Sequence, residues 1–212
     1  MPEPLKQSEI DKGQDPSVTK QWDDNVSLEQ KMKDFGAIAD HLKIGIMGSL
    51  REGVGPVGRA MAVAKRSGPD FLFLANAHSQ KFSDIEQNKV TNVYFHDSTT
   101  QDWISVTGET VVSSNDDKRI KEVYTQGVKA WFGDLGDGKH DGGPEDPRMK
   151  LIEVKAKYIN YWQHATDGEG FGKEIQEAIK SGKVANTGSL RKLDGKEIEE
   201  ARSKYGDMSS SS

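Results

Sequence analysis

The sequence predicts a mainly β protein with flanking helices, organised as a small antiparallel barrel of six strands. Two observations lead to this fold class. Short runs rich in β-branched and aromatic residues follow one another through the middle of the chain, and turn-forming residues separate them. Helical segments, recognised by apolar residues every three or four positions, are inserted among these runs. Short strands joined by tight turns, with inserted helices, are typical of small barrels.

The first element is expected to be a helix that begins after Ser27 and ends near His41. Ser27 and Gln30 have the spacing of a capping box, in which two side chains satisfy free N–H groups at a helix start. The apolar residues that follow recur at helical spacing, and they are Leu28, Met32, Phe35, Ile38, Ala39 and Leu42. This periodicity predicts that one face of the helix packs on the barrel.

Six segments have the composition of strands, namely residues 43–50, 59–66, 70–76, 90–97, 103–114 and 149–162. Gly68 and Pro69 supply the turn of a hairpin between the second and third strands. Helices are predicted over residues 79–88, with Ser79 at the cap, and over residues 116–132. A loop rich in Gly and Asp at 133–147 then leads to the last strand.

The two ends of the chain differ from the middle in composition. Residues 1–26 are rich in Pro, Gln, Asp and Lys without periodicity, which predicts a flexible arm before a core domain at 27–163. The segment 164–212 is expected to be a helical extension that ends in a disordered serine tail. Near-identical stretches at 172–178 and 195–201 predict two short surface helices.

Composition excludes several classes of protein. The chain has 212 residues and a net charge of -5, and this acidic balance argues against a nucleic-acid partner. No run of about 20 apolar residues exists, which argues against a membrane span. Cysteine is absent, so disulfides, thiolate nucleophiles and iron–sulfur clusters are excluded. The polar N-terminus lacks an apolar signal region, and a cytoplasmic location is expected.

No catalytic motif stands out, and no catalytic residue is assigned. The five histidines lack metal-ligand spacing, and the sequence contains no nucleophile elbow, P-loop or dinucleotide-binding glycine motif. The acidic loop at 133–147 lacks the pattern of a calcium-binding EF-hand, so a solvated Gly-rich turn is preferred to a metal site. Any chemistry is therefore expected to come from a cofactor.

Arg59, Ser79 and Lys81 form a more specific candidate for a binding site. Arg59 opens a predicted strand, Ser79 caps a predicted helix and Lys81 lies in its first turn. A guanidinium fork, an ammonium and the free N–H groups of a helix start are all favourable for a phosphate group. The alternative is a pair of ordinary surface cations.

Longer stretches carry a resemblance to a known family. GRAMAVAKR, FLFLANAHSQKFSDIEQNKVTNVYF and WISVTGETVV resemble the pyridoxamine 5'-phosphate oxidase-like FMN-binding split barrels. KAWFGDLGDGKHDGGPEDPR and VANTGSLRKL are similar to the general stress protein branch, especially the fungal blue-light-induced flavoproteins. The resemblance covers roughly residues 27–195, and it implies a split β-barrel fold.

The resemblance also implies a homodimer with two FMN molecules, each in a groove between the subunits. Arg59 and Lys81 would bind the FMN phosphate, with Ser79 and Gln80 beside it. The other implied cofactor contacts are Ala60, Met61 and Ala62 along the ring, Leu74 and Ala75 near the phosphate, and Trp103 and Trp162 across the subunit interface. Packing within the core is the alternative for both tryptophans.

One departure from the family bears on function. True pyridoxamine 5'-phosphate oxidases end in an Arg-x-His element, whereas this chain reads YINYWQ there, so pyridoxamine 5'-phosphate is not expected to be a substrate. The resemblance implies a flavin-dependent oxidoreductase with an unidentified small-molecule substrate or reductant, in a stress or light response. A non-catalytic module that stores flavin is the alternative, and haem or deazaflavin on the same fold is a third.

Overall fold

The computed structural model describes residues 17, 21–23, 25–166 and 168–206. Most of the predicted N-terminal arm and the serine tail lie outside these residues. The strands are β1 Ile44–Arg51, β2 Gly55–Ala62, β3 Lys65–Ser67, β4 Asp70–Asn76, β5 Val90–His96, β6 Trp103–Val112, β7 Met149–His164 and β8 Gly188–Leu193. The helices are α1 Leu28–Leu42, α2 Lys81–Gln87, α3 Arg119–Val123, α4 Gln126–Phe132, α5 Gly168–Ser181 and α6 Gly195–Tyr205.

The strands form one antiparallel sheet in the order β2-β1-β5-β6-β7-β4-β3, with β8 added to β7. The sheet is not closed. The predicted class, an antiparallel sheet of split-barrel type with flanking helices, is confirmed. The predicted number of six strands is wrong, because the described residues form eight. The 16-residue β7 is the hub, since it pairs with β6, β4 and β8 along successive parts of its length.

One predicted strand, residues 59–66, is two strands in the structure. Up to Ala62 the chain pairs with β1. The N–H of Val63 then donates to the carbonyl of Lys43 at 2.8 Å, and the N–H of Ala64 donates to the carbonyl of Leu72 at 2.8 Å. The chain therefore changes partner from the β1 side to β4 between adjacent residues, and it bridges the two edges of the sheet.

The main core lies between one face of the sheet, called here the inner face, and helices α1 and α6. Phe71 is its centre, with ring centroids 5.8 Å from Phe35 of α1 and 5.2 Å from Phe95 of β5. From α6, Ile198 and Ala201 are fully buried in the same cluster. Each aromatic pair adds about 0.5–1.5 kcal/mol beyond the area that it buries.

The predicted helix at 116–132 is broken into α3 and α4. Thr125 has extended backbone angles, and the hydroxyl of Tyr124 donates to the carbonyl of Gly142 at 3.1 Å. The break lets Ile120 and Phe132 pack on a second cluster formed by β4 and β7. Tertiary packing therefore overrides the continuous helical periodicity.

The C-terminal extension contains a strand that the sequence analysis did not predict. β8 pairs with the end of β7, and α6 begins at a capping box of Asp194 and Glu197. The prediction of two surface helices is wrong for α6, which packs into the core, whereas α5 buries no residue. Within the described ranges, every helix is too short or too polar to cross a membrane.

Candidate functional site

Arg59 lies in the middle of β2, opposite Met47 of β1, and shares the inner face with that buried residue. Its guanidinium is held at two points: Nη1 donates to Ser49 Oγ at 2.8 Å, and Nη2 donates to Asp84 Oδ2 at 2.8 Å. The side chain keeps 20% of its surface exposed. Arg59 is therefore fixed in orientation while remaining open to a ligand.

Lys81 lies beside Arg59 at the start of α2. Its Nζ donates to Ser79 Oγ at 2.8 Å, and the Ser79 hydroxyl donates to the carbonyl of Asn76 at 2.7 Å. Burial lowers the pKa of the Lys81 ammonium, and the positive charge of Arg59 lowers it further. The structure thus brings together the three residues that the sequence analysis singled out.

The prediction that Ser79 caps the helix is wrong. The helix begins at Lys81, its N-cap is Gln80, and that residue makes no side-chain cap hydrogen bond. Ser79 instead turns the chain between β4 and α2. Because α2 has only seven residues, the charged side chains rather than the helix end must supply the attraction for an anion.

Asp84 and Arg51 belong to the same group, although the sequence analysis did not select them. The Asp84 side chain is 2% exposed and accepts from Arg51 Nε at 3.0 Å and from Arg51 Nη2 at 3.1 Å. Ser49 Oγ adds a bond to Asp84 at 3.2 Å. The hydrogen bond from Arg51 is the main reason that the pKa of Asp84 lies below its ordinary value. We call the six residues the Arg59 cluster, and they are Ser49, Arg51, Arg59, Ser79, Lys81 and Asp84.

The Arg59 cluster carries a net charge of two positive units when Lys81 is protonated, since three cations face one carboxylate. A phosphomonoester carries about -1.5 to -2 at neutral pH. The charge of the cluster therefore matches that of a terminal phosphate group.

The other predicted contacts from the same half of the site lie around this cluster. Ala60 and Ala62 are exposed on the outer face of β2, while the Met61 side chain points into the core. Gln80 is exposed next to Lys81. Leu74 packs on the second cluster and Ala75 is buried in the main core, directly before the turn that holds Ser79.

Trp103 and Trp162 are far from Arg59 within one chain. They are direct partners on β6 and β7, on the outer face of the sheet. Arg59 lies on the inner face of β2, which is three strands from β6 and four from β7 in the sheet order. Both tryptophans are half-buried.

The outer face of β1, β5, β6 and β7 carries several apolar side chains, with polar residues such as Asn92, Ser105 and Thr107 between them. Ile44 and Ile46 are 58% and 46% exposed, and the Tyr94 and Trp103 rings stack with centroids 6.3 Å apart. We call this surface the outer sheet face, and its apolar members are Ile44, Ile46, Leu50, Tyr94, Trp103, Tyr158 and Trp162. Exposed aromatic and aliphatic side chains grouped on one sheet face are typical of an interaction site.

A histidine–carboxylate pair that sequence reasoning missed lies at the edge of this surface. His164 Nδ1 is 2.8 Å from Asp102 Oδ1, and the His164 backbone N–H donates to the same oxygen at 2.7 Å. The two residues are 62 positions apart in sequence, so no local motif signals their contact. The pair fastens the end of β7 to the start of β6.

The Gly/Asp loop is built around a buried ion pair. Arg148 Nη2 donates to Asp146 Oδ2 at 2.6 Å, and Arg148 also donates to the carbonyls of Phe132 and Gly133. The loop thereby fixes the end of α4, where Trp131 is 89% exposed. Across the residues that the structure describes, no group of three or more His, Asp or Glu side chains is arranged to hold a metal ion.

Comparisons with known proteins agree with this fold. The family model for pyridoxamine 5'-phosphate oxidase like proteins matches residues 30–186. Protein bli-3 of Neurospora crassa is 34% identical over 194 residues, which cover 90% of this chain and 92% of bli-3.

Two solved structures share the fold. A Clostridium acetobutylicum protein related to general stress protein 26 gives a TM-score of 0.56 at 18% identity, covering 66% of this chain and 93% of its own. General stress protein 26 of Bacillus anthracis gives a TM-score of 0.52 at 22% identity, covering 64% of this chain and 94% of its own. At these identities the likeness establishes the fold alone.

Proposed function

The chain belongs to the pyridoxamine 5'-phosphate oxidase-like family, and from this premise we propose that it binds FMN between two copies of itself. We further propose that the bound flavin serves redox chemistry on an unidentified small molecule, in a stress or light response. The resemblance of residues 129–148 and 184–193 to the general stress protein branch supports the stress role.

The observation that carries the proposal is the Arg59 cluster. Arg59 is clamped by Ser49 and Asp84 but stays partly exposed, and Lys81 lies next to it with a partly desolvated ammonium. Charge-assisted hydrogen bonds from such groups contribute about 1.5–3 kcal/mol each. Two or three of them would hold a phosphomonoester and would add nothing for a ligand that lacks one.

The residues beside the cluster fit a flat ring. Ala60 and Ala62 leave the backbone of β2 accessible on the outer face, because their side chains are small. Met61 is buried, so only its backbone groups could reach a ligand on that face. In this proposal the ring lies along β2 while Arg59 and Lys81 hold the phosphate, and Ser79, Gln80, Leu74 and Ala75 shape the phosphate end.

A second copy of the chain supplies the other wall of the site. Trp103 and Trp162 lie on the outer face, away from the Arg59 cluster of their own chain, so they are available to the cofactor of the partner. The outer sheet face offers apolar surface for the contact between the two copies. Burial of that surface would also exclude water from the ring.

Bound FMN supplies one-electron and two-electron transfer, which the side chains of this chain cannot supply. The described residues bind and orient it. The experiment that tests the proposal is calorimetry of the purified protein with FMN, riboflavin and FAD, together with the visible absorbance spectrum. FMN should bind at least about tenfold tighter than riboflavin, since the phosphate contacts are lost with riboflavin. Equal affinity for riboflavin, or a haem spectrum, would contradict the assignment.

A flavin-storing module without turnover is the second candidate. The absence of an acid or base assigned beside the ring is compatible with it. Anaerobic mixing of the FMN-loaded protein with NADH or NADPH separates the two functions. Bleaching of the flavin absorbance at catalytic rates supports the oxidoreductase, and an unchanged spectrum with both donors supports storage.

A further inference from the structure

We propose that Asp84 is a positioning residue of the phosphate site, and that it strengthens the binding of an anion although it is itself negatively charged. This inference rests on the proposed binding of FMN phosphate at the Arg59 cluster. Asp84 would act through Arg59, by fixing the direction in which that guanidinium presents its free donors.

The Asp84 carboxylate accepts four hydrogen bonds. Oδ1 accepts from Arg51 Nε, and Oδ2 accepts from Arg51 Nη2 and from Arg59 Nη2. Ser49 Oγ donates to Oδ2 as well. The carboxylate is almost fully buried, so these four bonds replace its hydration.

The Arg59 guanidinium makes two hydrogen bonds within the protein. A guanidinium has five N–H donors, and Arg59 uses one on each terminal nitrogen, for Ser49 and Asp84. The other three have no protein partner among the residues that the structure describes. Two bonds to two different groups fix the plane of the guanidinium, so the remaining donors keep one direction.

Arg51 holds Asp84 in place. Its bidentate contact anchors the carboxylate from the β1 side, while Arg59 approaches from β2. Asp84 itself projects from α2, the helix that also carries Lys81. The carboxylate thereby ties three elements together at the point where the two predicted phosphate ligands meet.

Charge and positioning make opposite predictions for one substitution. Asp84→Asn raises the net charge of the Arg59 cluster from two to three positive units, since one carboxylate is neutralised. Attraction alone would then strengthen the binding of a dianion. Loss of positioning would weaken it, because Arg59 would no longer be held for the phosphate.

The experiment measures the dissociation constants of FMN and riboflavin for the wild type, Asp84→Asn and Glu86→Gln. Glu86 is the matched control, since it is an exposed carboxylate on the same helix and its substitution changes charge equally. We expect Asp84→Asn to weaken FMN by about tenfold or more, the value of one charge-assisted bond, and to leave riboflavin unchanged. Glu86→Gln should change neither.

A second variant keeps the test valid if Asp84→Asn fails to fold, as circular dichroism would show. Asp84→Glu keeps the charge but moves the carboxylate by one bond, so positioning predicts weaker FMN binding at unchanged riboflavin binding. FMN binding by either Asp84 variant that equals or exceeds that of the wild type overturns the proposal.

Inorganic phosphate separates this inference from the proposed function. Titration followed by NMR of the arginine Nε–H signals reports the anion site directly. If the wild type binds phosphate at Arg59 but not FMN, the proposed function is wrong, and weaker phosphate binding by Asp84→Asn still supports the role of Asp84. If the wild type binds neither, both proposals are overturned.

Discussion

At the scale of single residues, Lys81 gives the site a dependence on pH. Its pKa lies below the ordinary 10.5 because of burial first and the charge of Arg59 second. The ammonium is fully present below that lowered pKa and is lost as the pH rises through it. We therefore expect FMN affinity to fall on the alkaline side before pH 10.5 is reached.

The measurement is FMN affinity against pH, with riboflavin as the reference that lacks the phosphate. The affinity for riboflavin should not fall at the pH where Lys81 loses its proton. Lys81→Gln should weaken FMN by about tenfold at neutral pH and remove the alkaline fall, since one charge-assisted contact is lost. A wild-type profile that coincides with that of Lys81→Gln would show that Lys81 does not contact the phosphate.

Part of the site could be predicted from the sequence at this scale, and part could not. Ser79 and Lys81 follow Arg59 by 20 and 22 positions, yet all three residues stand in recognisable local patterns. Asp84 and Arg51 meet across 33 positions without any such pattern. An aspartate on a short polar helix reads as a solvated residue, and only the packing of α2 on β1 shows that it is buried.

At the scale of elements, a buried carboxylate of β4 is paired with an arginine of α6. Arg202 Nε donates to Asp70 Oδ2 at 2.6 Å, and Nη2 donates to the carbonyl of Ala156 at 2.9 Å. Asp70 is buried, so removal of its partner leaves an uncompensated charge. Arg202→Gln should lower the free energy of unfolding by roughly 3 kcal/mol in chemical denaturation.

The control for this prediction is on the same helix. Lys204 pairs with Glu200 at the surface, with both side chains about half exposed. Lys204→Gln should cost less than about 1 kcal/mol, because exposed ion pairs are weak. Equal losses for the two variants would mean that the Asp70 contact adds no more than a surface pair.

The elements themselves were predictable where local pattern and packing agree. The helix after Ser27 and the hairpin around Gly68 follow directly from capping and turn chemistry, and both are present. Prediction from sequence pattern was wrong where a segment changes its packing or pairing partner while its amino-acid composition stays the same. The strand at 59–66 switches from β1 to β4 at Val63, and the helix at 116–132 breaks where Tyr124 turns toward the Gly/Asp loop.

At the scale of the whole molecule, the outer sheet face predicts a dimer. Ile46 lies opposite Tyr94 near the middle of that face. Ile46→Lys should convert the dimer to a monomer in light scattering, since a charge would be buried in an apolar contact. FMN should be lost with it, because the partner's tryptophans would no longer cover the ring.

Ile179 offers the comparison. It is an exposed isoleucine on α5 and belongs to no strand of the outer sheet face, so Ile179→Lys should leave both the dimer and FMN binding unchanged. A wild-type protein that is monomeric with one equivalent of bound FMN would contradict the shared site.

The end of β7 predicts a restriction on the substrate range. Lys155 and Lys157 of β7 pair with Glu153 and Glu109, and the strand ends in Gln163 and His164 instead of an Arg-x-His element. We expect negligible oxidation of pyridoxamine 5'-phosphate by the FMN-loaded protein. Formation of pyridoxal 5'-phosphate at about 1 per second or faster, the range of ordinary enzymes, would refute this.

The contact between Asp70 and Arg202 also bears on how the protein is made. The two residues are 132 positions apart, and chain synthesis proceeds at about 5–20 residues per second. On a ribosome, Arg202 is therefore synthesised about 7–26 s after Asp70. Ile198 and Ala201, which complete the core, emerge at the same late stage. The core therefore stays without its α6 side chains on the ribosome until that helix has been synthesised.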